Sequence, residues 1–289
     1  MPLYQPSAPS EDFGGYMART NATTLTLSRD TGDIIRVSGN DVPIGASGIV
    51  LVTTDNLIDG TGADSGGAMG ASTLYYVYVS NGNASFAPSD LRGSTTAPTA
   101  VNGVRYLGSS GNALNWRFCG YVRTNGSSQL QQDNTFIGAV NWYNQRVIRA
   151  GVAPGYVDDN ATTSYTKAAG VFGPLNGGTG SRITFVADGR SAVRLQAHAV
   201  CTNGVGGSTR VAISTLDSTT DTTEQGVCSD ATSTWDASSF RDTVPSEGVH
   251  TVDILGSTNG ATGTYLADDV RNGAVADPAC SFLQVVLLG

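Results

Sequence analysis

The sequence predicts an all-β protein made of two β-sandwich or barrel-like domains, the C-terminal one jelly-roll-like. Three observations carry that expectation. Strong helix formers are nearly missing: Lys167 is the sole lysine, and glutamate occurs only at Glu11, Glu224 and Glu247. Thr, Val and Tyr are plentiful and fall in short runs that alternate or stay apolar. Between these runs stand clusters of Gly, Asn, Asp and Pro, the residues that make turns.

The runs follow in order. Residues 24–28 alternate, 33–37 follow a glycine, and 48–52 are continuously apolar. The strongest strand signal, 73–80, ends at the turn dipeptide Asn81–Gly82. Residues 104–108 and 116–123 come next, the latter closing on Asn125–Gly126. Within it Trp116, Phe118 and Val122 alternate with Arg117 and Arg123, and the interrupting Gly120 marks a bulge. Trp116 and Trp142 sit among apolar neighbours and read as core. From 148 to 181 the pattern dissolves into Gly, Ala, Pro and Thr, which reads as a linker with room for one short element. Strand patterning resumes at 183–187, 192–200, 209–215, 249–255, 262–266 and 282–288. In the second of these Val193, Leu195, Ala197 and Ala199 face one way, and Arg194, Gln196 and His198 the other. The final run is so apolar that it belongs in the middle of a sheet.

These breaks divide the chain into an N-terminal segment 1–22, a β domain 23–147, the linker 148–181 and a C-terminal sandwich 182–289. Pro2, Pro6 and Pro9 deny the first segment an element of its own. It reads either as a tail or as an extended arm that lays Tyr4, Phe13 and Tyr16 on a neighbouring protein.

Composition narrows the function. A net charge of −8 with no basic patch disfavours nucleic acid as a partner. No stretch approaches the roughly 20 apolar residues of a membrane-spanning helix. The N-terminus has neither a basic start nor an apolar core, so no standard secretion signal is expected. Cys119, Cys201, Cys228 and Cys280 form no C-x-x-C, and both buried thiols and a Cys201–Cys228 bridge between adjacent strands fit them. With His198 and His250 as the only histidines and no G-x-S-x-G, neither a catalytic triad nor a His-rich metal site is expected. Asp158, Asp159, Asp217, Asp221 and Asp230 read as turn carboxylates, and no cofactor is called for. Trp235 stands among small polar residues. It reads either as a plug of the sandwich or as a stacking platform for a sugar, with Asp236 or Arg241 bonding hydroxyls.

Residues 73–80, 86–92, 97–99, 102–108, 115–126 and 136–146 together resemble a module of tailed-bacteriophage virion proteins, of the tail-fibre and head-fibre kind. The stretches 247–251, 263–265 and 282–289 are similar to trimeric jelly-roll heads that tip phage fibres, of the tumour-necrosis-factor class. The resemblance implies a homotrimer attached to other virion proteins, capsid or tail, through its N-terminal half. The C-terminal head would then face outward toward a host-surface glycan. A fibre or spike is one such role, and a decoration protein docked on the capsid is the other. The resemblance supplies no catalytic residues.

Overall fold

The computed structural model describes residues 13–54, 56–82, 85–133, 135–152, 165–167, 172–175, 181–203, 208–218, 221–228, 235–259, 263–266 and 282–288. The chain is all-β. Its first half runs β1 (Gly15–Arg19), β2 (Thr24–Arg29), β3 (Ile34–Val37), β4 (Asn40–Pro43) and β5 (Ile49–Val52). Then come β6 (Leu74–Asn81), β7 (Pro88–Ser94), β8 (Thr99–Val101), β9 (Val104–Tyr106) and β10 (Trp116–Arg123). A connecting stretch holds β11 (Phe136–Ile137), β12 (Ala139–Asn141) and β13 (Ile148–Val152). The second half has β14 (Tyr165–Lys167), β15 (Gly173–Pro174), β16 (Arg182–Asp188), β17 (Val193–Asn203) and β18 (Ser208–Ser214). It ends with β19 (Asp221–Cys228), β20 (Trp235–Thr243), β21 (Glu247–Asn259), β22 (Gly263–Leu266) and β23 (Phe282–Leu287).

Four sheets carry the fold, beside the β3–β4 hairpin. The first is ordered β1-β2-β5, and the second β7-β6-β10-β9-β8 with β12 added on β10. The third is β11-β16-β21-β18-β19 with β15 on β21, and the fourth β13-β23-β17-β22-β14 with β20 on β17. Met17, Leu25, Leu27 and Leu51 of the first sheet pack on Tyr75, Val77, Val79, Cys119 and Val122 of the second. The other face of the second sheet offers Tyr78, Phe118 and Tyr121 to a core that continues through Phe185, Leu195, Ile213 and Val285. Strand β6 is therefore covered on both sides, which explains why 73–80 reads as a near-continuous apolar and aromatic run.

Strand β10 shifts register against β6 between Phe118 and Gly120, the bulge expected from the interrupting glycine. The glycine is required by close approach. A Cβ at Gly120 would stand 2.3 Å from the Val140 carbonyl oxygen and 2.6 Å from Met17 Cε. Its absence lets β12 and β1 close on β10.

In the C-terminal sandwich, β13-β23-β17-β20 oppose β16-β21-β18-β19, the strand order of a jelly roll. β23 lies between β13 and β17, so the last apolar run is central as its composition demands. Val193, Leu195, Ala197 and Ala199 are wholly buried, whereas Arg194 is exposed and Gln196 and His198 are half-buried.

Two boundaries differ from the sequence expectation. Within the stretch 148–181, read as a linker, the described residues include three strands: β13 pairs with β23, β14 with β22 and β15 with β21. These are short strands added at sheet edges or ends, where half the backbone donors need no partner and small residues and proline are tolerated. The segment 1–22 is also no single arm, because β1 pairs along its whole length with β2 and Phe13 bridges to Ile35. The N-terminal domain therefore begins by residue 13, and residues 1–12 lie outside the described residues. Cys201 on β17 and Cys228 on β19 fall in different sheets, so their strands are not hydrogen-bonded neighbours. Cys119 is a buried free thiol whose pKa burial pushes up, an inert core residue.

Removing residues 1–12 leaves every contact named above in place, so that truncation should melt within a few degrees of the full chain. Removing 1–22 strips β1 and Phe13 from the first core and should abolish cooperative melting. A chain lacking 1–22 that melts like the full protein would contradict this placement.

Candidate functional site

The structure gathers chemically distinctive side chains in three places: the seam between the halves, the outer face of the first sheet, and the outer face of the fourth. The seam is built by six consecutive residues, 141–146. Asn141 donates from Nδ2 to the Met17 carbonyl at 2.9 Å and accepts from the Met17 amide at 2.7 Å. Its side chain thus pairs with β1 on the side away from β2, as a neighbouring strand would. Asn144 donates to the carbonyls of Phe13 and Gly15 at 2.8 and 2.9 Å. Between them Tyr143 stacks on Phe13 with centroids 4.4 Å apart, beneath the Arg117 guanidinium.

Trp142 and Gln145 of the same segment reach into the C-terminal half. The Trp142 indole carries the Arg105 guanidinium 3.9 Å from its centre and that of Arg190 at 3.4 Å. Arg190 Nη2 also donates to the Trp142 carbonyl at 3.0 Å, and Arg105 pairs with Glu247 at 3.0 Å. Cations stacked on an indole each contribute about 0.5–2 kcal/mol, more as water is excluded. Gln145 bonds Asp188, and Ser191 Oγ donates to Gln145 Oε1 at 2.8 Å. Asp188 is almost wholly buried. Burial alone would push its carboxyl up, but donors from the Ser191 and Arg190 amides and the Gln145 and Ser191 side chains hold it below the usual range.

The anchoring candidates separate. Tyr4 lies outside the described residues. Phe13 is completely buried, so it cannot lie on another protein; it is a core residue of this chain. Tyr16 is half-buried: Arg146 sits 4.0 Å from its ring centre and pairs with Asp30. Burial raises the Tyr16 hydroxyl pKa, Arg146 works against this and Asp30 adds to it. Tyr16 pairs with Ser28, and the next row on the same face is Ala18–Thr26–Val50. In those rows that outer face carries only small, hydroxyl or apolar side chains.

On the fourth sheet, Trp235 and Asp236 are placed on β20 by their pairing with Cys201 and Val200, and their side chains lie outside the described residues. Arg241 pairs directly with Leu195, so it shares the inward face and is partly buried, against the expectation of an outward receptor contact. The outward residues are its neighbours. Phe240 is 55% exposed, Asp242 is bound twice at 3.0 Å by Arg194, and Ser238 faces His198 Nδ1 at 2.9 Å. The alternation around buried Ala237 and Ser239 is the signal that would have found Phe240.

His250 sits 2.8 Å from Asp217 through Nδ1 and 2.8 Å from the Ser246 carbonyl through Nε2. The nitrogen a nucleophile would need is therefore occupied by main chain. Among the described residues no three His, Cys, Asp or Glu side chains converge as metal ligands, and no helix is long and apolar enough to cross a membrane.

A carboxyl held low in the folded state takes up its proton more readily when the chain unfolds. Its stabilisation is therefore complete above about pH 4 and is lost as pH falls through the folded value. Asp188→Asn should cost about 2–4 kcal/mol at pH 7 and flatten that acid limb of the stability curve. An unchanged acid limb in the variant would show that Asp188 is not what the acid attacks.

No family model matches the chain, and no curated protein is similar to it. Among solved structures it is similar to the Eiger TNF of S. frugiperda over 44% of this chain and 92% of that one, at 9% identity and a TM-score of 0.24. A family two carbohydrate esterase from Cellvibrio japonicus is matched over 50% of this chain and 35% of its own, at 13% identity and a TM-score of 0.19. An insecticidal delta-endotoxin from Bacillus thuringiensis is matched over 96% of this chain and 52% of its own, at 8% identity and a TM-score of 0.29. The chain thus spans about half or less of the esterase and the toxin, and likenesses this distant assign it to no family.

Proposed function

We propose that the chain is a structural protein of a tailed-bacteriophage virion, a fibre or spike that attaches the particle to the host surface and assembles as a homotrimer. The N-terminal half faces the particle and the C-terminal jelly roll faces out. One observation above all supports this reading: the stretch 136–152 gives β11 to the third sheet, β12 to the second and β13 to the fourth. A chain threaded through three sheets in succession, beside an apolar core that continues from one half into the other, resists hinging between its halves. Force taken up at an outward head is thereby passed to an inward mount, which an attachment protein requires and an isolated catalyst does not.

The outer face of the first sheet, whose rows hold Tyr16, Ala18, Thr26 and Val50 with no charged side chain among them, supports a second reading, a decoration protein docked broadly on the capsid. Copy number separates the two. Quantitative gels of purified particles should give a few tens of copies or fewer for a fibre, and labelled antibody should mark the tail. Hundreds of copies over the shell would favour decoration, and absence from particles would overturn both.

A further inference from the structure

Three Asn–Gly pairs lie among the described residues, and the fold treats them differently. Asn81 is half-buried with its Nδ2 on the Val37 carbonyl at 3.2 Å, and the Gly82 amide donates to Ser80 Oγ at 2.9 Å. Asn125 is clamped through Oδ1, which accepts from the Ser127 and Gln129 amides at 2.9 and 3.0 Å. Asn102 has neither restraint. It and Gly103 are the two exposed residues of the β8–β9 hairpin, at φ +51° and +82°, a type I′ turn between Val101 and Val104. Nothing lies within 4 Å of where a Gly103 Cβ would stand. The hairpin itself is weakly tied: β8 is the outermost strand, and β9 pairs with β10 only at Tyr106 and Arg117.

We propose that Asn102 is a site of spontaneous covalent modification, the described Asn–Gly pair at which this chain deamidates as it ages. The Gly103 backbone nitrogen bonds to Asn102 Cγ while the Cγ–Nδ2 bond breaks. The nitrogen gives up its proton and ammonia leaves, forming a succinimide. Water then adds to one of the two ring carbonyls and opens the ring to aspartate or to isoaspartate. No oxidant or enzyme is needed. A glycine at the attacking position offers no side chain in the way, and an exposed turn at the edge of the sheet reaches the required geometry at lower cost than a clamped one. At Asn81 and Asn125 the same reaction must first break the hydrogen bonds that hold the amide or the glycine nitrogen.

The consequence falls on the seam. Isoaspartate lengthens the turn backbone by one carbon and adds a negative charge three residues before Arg105. Arg105 pairs with Ala100 across this hairpin while holding Glu247 and Trp142. Slippage of the hairpin withdraws that guanidinium from the C-terminal half.

The test is to hold the purified full chain at mildly alkaline pH and 37 °C, then digest it with trypsin and follow each Asn–Gly peptide by mass. Cleavage after Arg92 and Arg105 isolates 93–105, in which Asn102 is the sole asparagine. Conversion at Asn102 should outrun that at Asn81 and Asn125 by tenfold or more in the folded protein, and the three rates should converge in urea. Equal rates in the folded chain, or an Asn102 that stays intact while either of the others converts, would overturn the proposal. Asn102→Gln, which keeps the amide but disfavours the five-membered ring, should slow conversion in this peptide at least tenfold. Undiminished conversion in that variant would equally overturn it.

Discussion

Everything else in this structure depends on how the segment 141–146 satisfies two sides at once. Its backbone leaves β12 and approaches β13, and its side chains divide between the two halves. Asn141, Tyr143 and Asn144 serve the first sheet, while Trp142 and Gln145 serve the C-terminal sandwich. Arg146 turns back to Tyr16 and Asp30. Each amide here replaces a hydrogen bond that would otherwise be missing at a strand edge, and leaving such a group unsatisfied when buried costs about 1–3 kcal/mol. The seam therefore specifies one docking of the halves and penalises the others.

The charges at the seam follow the same logic. A protein with so few charged residues places several of them, Arg105, Arg190, Glu247 and Asp188, where the halves meet, and Arg117 just behind on Phe13 and Tyr143. Arginine suits this use because its planar, weakly hydrated head stacks on Trp142, Tyr143 and Phe13 while still donating hydrogen bonds. An ordinary surface ion pair would contribute little. Here the pairs are backed by aromatic faces and by a nearly buried carboxylate, so they act as orienting contacts for the interface. Tyr121, nearby, has its hydroxyl pKa pushed up by burial and by the charge of Glu247, and it stays neutral at the seam.

Much of the fold was legible because burial imposes a period on the sequence. The alternation of 192–200, the two-sided run 73–80, the bulge at Gly120 and the central place of the last strand all follow from apolar spacing and appear as expected. What escaped has no period. Strands β13, β14 and β15 are too short to show a period, and their pairing is decided by partners far along the chain. Phe13 looked like a free aromatic because its partners, Tyr143 and Asn144, lie more than a hundred residues later. The inward place of Arg241 and the exposure of Phe240 escaped for a similar reason. Which of two adjacent residues faces out is fixed by the β17–β20 register, and a shift of one residue reverses it.

The central claim is that the two halves form one mechanical and thermodynamic unit rather than beads on a string. Differential scanning calorimetry of the full chain tests this most directly. The account predicts one transition whose calorimetric and van't Hoff enthalpies agree. Two resolved transitions, one for each half, would contradict it.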